Sequence, residues 1–208
     1  MARYNGPVCR LCRRNGEKLF LKGDRCFTPK CAIERRPNPP GQRSQRRRKI
    51  SDRGLQLREK QKARQTYGVL ERQFRRLYQE ASRRSGVTGE NLMQLLELRL
   101  DNAVYRLGFA ESRAQARQLV LHRHVTVNGR ITDVASAQVK IGDRVGWTDR
   151  ARKTDFFTMV KEWQGGREVP AWLSVDPAAL EGQVLALPSP DEIDARFNES
   201  AIVEYYSR

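Results

Sequence analysis

Apolar residues are sparse at the start of the chain and regularly spaced after it. The first 35 positions hold few of them, chiefly Leu11, Leu19, Phe20, Leu21 and Phe27. Ser51 can cap a helix running to about Thr66, with Leu55 and Leu57 as its weak buried edge. Phe74, Leu77, Tyr78 and Ala81 recur at helical spacing, which predicts a second helix over about 70–85 with these four in the core. Thr88 or Asn91 opens a third, carrying Leu92, Leu95, Leu96, Leu100, Val104 and Leu107 to a stop at Gly108. Ser112 and Gln115 read as a capping box for a helix that buries Ala116, Leu119 and Val120. The pattern then shifts to alternation. Val125 and Val127 flank Thr126, and Asn128-Gly129 signals a type I′ hairpin turn. Further strands are predicted at 137–141 and 144–148, joined by Gly142-Asp143. Beyond them Trp163, Trp172, Leu173, Val175, Val184, Leu185 and Leu187 read as core, and Ile202, Val203 and Tyr206 as the face of a docking helix. The expected class is α+β.

Charge changes this picture. The 208 residues carry 40 Lys+Arg and 24 Asp+Glu, net +16, which calls for a polyanionic partner. The excess is graded along the chain, +12 over residues 1–49, +5 over 50–90, +3 over 91–145 and −4 over 146–208. The first third is therefore the expected electrostatic anchor, and the acidic last third is expected to face solvent or a basic protein. No apolar run is long enough to span a bilayer, and Met1-Ala2-Arg3-Tyr4 opens no signal-peptide core, so no membrane partner and a cytoplasmic location are expected.

All four cysteines lie within the first 31 residues. Cys9 and Cys12 form a C-x2-C pair, and Cys26 and Cys31 a C-x4-C pair. Two short-spaced pairs across a loop let four thiolates converge on one structural metal centre, zinc or a four-iron four-sulfur cluster. Two disulfides are the alternative, disfavoured by a reducing cytoplasm. Arg10, Arg13, Arg14, Arg25 and Lys30 are expected to favour the thiolates. Next comes an arm, 35–49, in which Pro37, Pro39 and Pro40 favour an extended path and seven of fifteen positions are basic.

The sequences Arg99-Leu-Asp-Asn-Ala-Val-Tyr-Arg-Leu-Gly-Phe109, Ser112-Arg-Ala-Gln-Ala-Arg-Gln-Leu-Val120 and Val125-Thr-Val-Asn-Gly129 closely resemble the RNA-binding module named after small-subunit ribosomal protein four. The cysteine cluster, Glu34-Arg-Arg-Pro-Asn-Pro-Pro-Gly41, Leu57-Arg-Glu-Lys-Gln-Lys62 and Glu204-Tyr-Tyr-Ser-Arg208 extend the likeness to that ribosomal family over essentially the whole length. One departure is Arg123, where the pattern often has glycine. The resemblance implies a structural constituent of the small subunit. Such a protein binds small-subunit rRNA at a helix junction, nucleates assembly, touches small-subunit ribosomal protein five and other ribosomal proteins, and affects accuracy. Some members also repress their own mRNA.

Three parts are expected: a four-cysteine metal knuckle and basic arm at 1–49, a helical domain at 50–98 completed by a helix at about 194–208, and the RNA-binding module with the remaining sheet at 99–193. RNA contacts are expected from Arg3, Arg10, Arg13, Arg14 and Lys22 around the cysteines, and from Arg35, Arg36, Arg43, Arg46, Arg47, Arg48 and Lys49 in the arm. Arg58, Lys62, Arg72 and Arg76 extend this set. In the module, Arg99, Asn102 and Arg106 are expected as one polar stripe, joined by Arg113, Arg117, His124 and Asn128. Loss of Arg113 and Arg117 is expected to weaken RNA binding and spare the fold. A modifying enzyme needs a second catalytic domain, for which the roughly sixty residues after 149 are too few, so no catalytic residue and no small-molecule substrate are assigned. A zinc-containing DNA regulator is the other rival, separable by comparing RNA with duplex DNA.

Overall fold

The computed structural model describes residues 3–42, 49–164, 168–193 and 197–207. Arg43, Arg46, Arg47 and Arg48 of the expected RNA-binding set lie outside the described residues. The chain divides into two compact units, Met1–Leu92 with Asp194–Arg208, and Met93–Ile193. The described residues that carry the cysteines fall in the same unit as the helical middle.

In the first unit, α1 (Cys9–Asn15), a 3₁₀ turn (Gly23–Cys26) and α2 (Ala32–Arg35) carry the cysteines. They are followed by α3 (Asp52–Thr66), α4 (Glu71–Ala81) and the start of α5 (Thr88–Glu97). The Ser51 hydroxyl accepts from the Gly54 amide at 3.3 Å and starts α3 as its residue type predicts. The buried edge of α3 is not the expected one. Leu55 and Leu57 are exposed, whereas Gln56, Lys60, Lys62 and Ala63 are buried. The reason is the C-terminal helix, numbered α10 (Glu199–Ser207), which packs along α3 and brings polar partners. Lys60 Nζ and the Tyr206 hydroxyl each donate to Glu71 Oε1 at 2.8 Å. Burial works against the charged Glu71, but these two bonds and the Lys60 charge prevail and hold its pKa below the usual value. Ile202 is fully buried, and Tyr206 stacks on Tyr78 at 4.6 Å between ring centres.

The second unit contains α6 (Leu100–Arg106), α7 (Arg113–Leu121), α8 (Asp149–Arg152) and α9 (Asp155–Gln164). Its strands are β1 (Val125–Val127), β2 (Arg130–Ile131), β3 (Arg144–Trp147), β4 (Leu173–Asp176) and β5 (Glu181–Val184), antiparallel in the order β2-β1-β3-β5-β4. Asn128 and Gly129 both take positive φ, 50° and 76°, as a type I′ turn requires.

Three expectations fail here for identifiable reasons. The single helix predicted up to Gly108 breaks at Leu98–Arg99, where Arg99 is extended (φ −68°, ψ 137°). The break is held by main-chain bonds to a distant segment. Val139 donates to Leu98, Leu100 to Ala137 and Asp101 to Ala135, at 2.8–3.1 Å. Those donors and acceptors occupy 135–139, so the strand expected at 137–141 reduces to one bridge between Arg99 and Gln138. Leu185 and Leu187, read as core, are exposed just beyond β5.

Gly182 lies buried in β5, where an added Cβ would meet the Leu107 side chain at the centre of the core. Gly182→Ala is expected to cost about 1–3 kcal/mol by overpacking. Urea unfolding followed by tryptophan fluorescence checks this directly, because all three tryptophans, Trp147, Trp163 and Trp172, belong to this unit.

Candidate nucleic-acid interface

The four cysteines are free, and all four line one small cavity together with Val8, Leu21, Lys22, Ala32 and Ile33. Among the described residues no three His, Cys, Asp or Glu side chains already stand in metal-ligating geometry. Burial pushes the Cys12 and Cys26 thiols up. Main-chain bonding at Leu19 and at Lys22, respectively, opposes that shift, while charge on neighbouring cysteines adds to it. The Lys18 charge also opposes the shift at Cys26. Arg10, Arg14, Arg25 and Lys30 are exposed to solvent, and Arg13 Nε donates at 2.8 Å to the Asn38 carbonyl.

Of the cations expected to meet RNA from the first unit, Arg3, Arg10, Arg14, Lys22, Arg35, Arg36, Lys49, Arg58, Arg72 and Arg76 are exposed. Lys62 is not. It is buried and donates to Glu17 Oε1 and Glu59 Oε1, both at 2.7 Å. Its charge is held within the protein, and the reading of Lys62 as an RNA-binding residue is corrected accordingly.

The larger correction concerns the module. Arg99, Asn102 and Arg106 do not form an exposed stripe, because the break before α6 turns them inward. The Arg99 residue is 1% exposed and grips Asp101 through Nε at 3.1 Å and Nη2 at 2.9 Å. Arg117, 6% exposed, donates to the same carboxylate from Nη1 at 2.8 Å. A second acid, Glu97, is fully buried and accepts from Arg106 Nε at 2.8 Å and Nη2 at 2.7 Å. Asn102 donates to Glu97 Oε2 at 2.7 Å and accepts from Arg113 Nε at 2.7 Å. The Arg113 guanidinium also lies 4.6 Å from the Tyr105 ring centre. The residues therefore form a buried two-acid network that ties the chain break to α6 and α7. Arg99, Asn102 and Arg117 are internal, and loss of Arg117 cannot spare the fold, because Asp101 would keep a buried charge with less compensation.

α7 begins as predicted, with the Ser112 hydroxyl accepting from the Gln115 amide at 3.3 Å, but the Gln115 side chain reaches the Glu111 amide instead of closing the box on Ser112. Asn128 is exposed, and its side chain holds the hairpin, donating to Asp143 at 2.8 Å and accepting from the Arg144 amide at 2.9 Å. His124 is half-buried beside His122. Missing from the sequence reading were the acids Glu97 and Asp101. The signal was available: two carboxylates, Glu97 and Asp101, close in sequence to Arg99, Asn102 and Arg106 in an otherwise apolar stretch.

Comparison with known proteins fits this architecture. Residues 3–97 match the family described as Ribosomal protein S4/S9 N-terminal domain, and residues 98–145, which hold α6, α7, β1 and β2, match the S4 domain. The chain is 55% identical over 208 residues to small ribosomal subunit protein uS4 of Heliobacterium modesticaldum, with both chains fully covered. It is 57% identical over 210 residues to uS4A of Symbiobacterium thermophilum and 54% over 209 residues to uS4 of Thermus thermophilus, again over the full length of each. These matches define a structural ribosomal protein rather than an enzyme. Within that class, the chain belongs to the ribosomal protein S4 family.

Proposed function

We propose that this protein is a constituent of the small ribosomal subunit in the cytoplasm, binds small-subunit rRNA directly at a helix junction, and nucleates assembly there. The full-length identity to proteins named uS4 carries this reading. The exposed cations of the first unit and a net charge of +16 support it physically. Contact with small-subunit ribosomal protein five and other ribosomal proteins, an influence on decoding accuracy, and repression of its own mRNA belong to the same proposal. Tagged protein sedimented with ribosomal subunits tests the core of it. Absence from the small-subunit fraction would overturn it.

Affinity for rRNA is expected to fall steeply with salt. Arg46→Gln, Arg47→Gln and Arg48→Gln together should make the log–log slope shallower by roughly 0.7–0.9 for each phosphate that is no longer neutralised. An unchanged slope in a filter-binding titration removes the arm from the interface.

The same proposal includes one structural metal held by Cys9, Cys12, Cys26 and Cys31, zinc in preference to a four-iron four-sulfur cluster. The fit rests on four free thiols lining a single cavity. Bound there, zinc would supply a closed four-thiolate cross-link. The chain's own part is to bring α1, the 3₁₀ turn and α2 around it, with Lys22 N–H donating to Cys26 Sγ at 3.4 Å.

A further inference from the structure

The end of α7 places an arginine where the fold favours glycine. The Arg123 amide donates to Val120 O and the His124 amide to Leu119 O, both at 3.0 Å, which is the bond pattern of a Schellman cap. In that cap the residue at Arg123 must be left-handed, and its φ is 61°. Glycine takes this conformation without penalty, while a side chain meets its own backbone. Arg123 gains little packing in return, since its side chain is 72% exposed. Its ion partner is Asp133, at 3.1 Å and itself 45% exposed, and exposed pairs of this kind contribute little. Strain retained at an exposed cationic residue points to a ligand.

The surroundings fit one. The His122 and His124 rings lie 6.2 Å apart on either side of Arg123 in sequence. The first turn of α8 is fastened to the same place, because Thr148 donates its amide to His124 O at 3.0 Å and its hydroxyl to Arg123 O at 3.5 Å, and the same hydroxyl caps Ala151. This brings in Arg150, which is exposed and, among the described residues, has no ion pair. The acids on the flanking elements are Asp133, engaged with Arg123, and Asp149, at the first position of α8.

We propose that the turn His122–Arg123–His124, together with Arg150, is a distinct binding site for RNA phosphate. It rests on the RNA-binding reading above and adds His122, Arg123 and Arg150 to the His124 already included there. Arg123 can trade its weak pair with Asp133 for a charge-assisted pair of bonds to a phosphate. Arg150 and the imidazoles close the site from α8 and from the helix end. Burial, then His122, then Arg150 hold the His124 pKa below its ordinary value in the free protein. A docked phosphate opposes these effects and raises it. Binding at this site therefore takes up a proton, so affinity is greatest at low pH and weakens, with Arg123 and Arg150 still charged, as pH rises through the histidine range, between about pH 5 and 8.

Full-length protein carrying Arg123→Gly separates this from a structural role. The unfolding midpoint, read by tryptophan fluorescence, should hold or rise because the strain is relieved. Affinity for small-subunit rRNA should fall, and the salt slope should become shallower by roughly 0.7–0.9. Arg150→Gln should repeat the binding loss. Lys161→Gln, an exposed change of equal charge on α9, should not. His122→Asn with His124→Asn should flatten the pH dependence. If Arg123→Gly and Arg150→Gln bind like Lys161→Gln while the unaltered protein binds rRNA with a steep salt slope, the phosphate site is overturned and the broader reading stands. If the unaltered protein does not bind rRNA, both fall.

Discussion

Asp101→Asn is expected to remove about 3–5 kcal/mol from the stability of the second unit, the loss typical when one partner of a buried ion pair is neutralised. The carboxylate receives Arg99 through two nitrogens and Arg117 through a third, and all three side chains are buried. Neither guanidinium can release its proton to escape the resulting imbalance. Asparagine keeps the shape and one acceptor, so the effect isolates charge. Arg99 Nη1 and Arg117 Nε, which already have no partner among the described residues, deepen the penalty. The measurement is urea unfolding by tryptophan fluorescence. A midpoint within error of the unaltered protein would mean the network is better solvated than its burial indicates. Replacing all three residues by apolar ones of similar volume is expected to cost far less, since no charge is then stranded.

Cys12→Ser is expected to have a larger local effect. Structural zinc in small modules contributes on the order of 10–16 kcal/mol of apparent binding free energy, and binding is then inseparable from folding. Around the cysteines only Leu19 among the larger apolar side chains is buried, while Phe27 is 71% exposed, so little apolar packing would replace the cross-link. Amide protection should collapse over residues 3–36 and persist over 93–193, and elemental analysis of the unaltered protein should find one metal centre. Retained protection around Cys26 in the variant would count against a structural site. Zinc or iron in that analysis decides between the two forms of the proposal.

What the sequence made legible was local. Ser51, Ser112 and Asn128-Gly129 act within three or four residues, and each forms the cap or turn that its chemistry requires. The helix break at Leu98–Arg99 was illegible because its cause lies nearly forty residues away, in the main chain of 135–139. Leu92 to Leu107 keeps helical spacing across the break, so periodicity alone carries the helix through. The same long-range event hid the fate of the arginines. A stripe of Arg99, Asn102 and Arg106 is exposed only if the helix is continuous. Once it breaks, Glu97 and Asp101 collect these groups inside. On α3 the polar residues Gln56 and Lys60 are buried because α10 supplies Glu204, Tyr205 and Tyr206, again from far along the chain. The phosphate site proposed at Arg123 was visible in sequence only as an arginine where glycine is usual. Its meaning required the φ angle and the neighbouring Arg150.

The division of the chain also bears on how the protein is made. Residues 93–193 are one uninterrupted stretch, while the first unit is assembled from segments on both sides of it. Translation delivers these in order. The stretch from 93 to 193 can therefore collapse around Leu100, Leu107, Val120 and Trp172 while Tyr67 still awaits Phe197, and Phe74 and Tyr78 await Tyr206. Until α10 emerges from the synthesising ribosome, the nascent chain offers a folded centre and an unfinished, strongly cationic front.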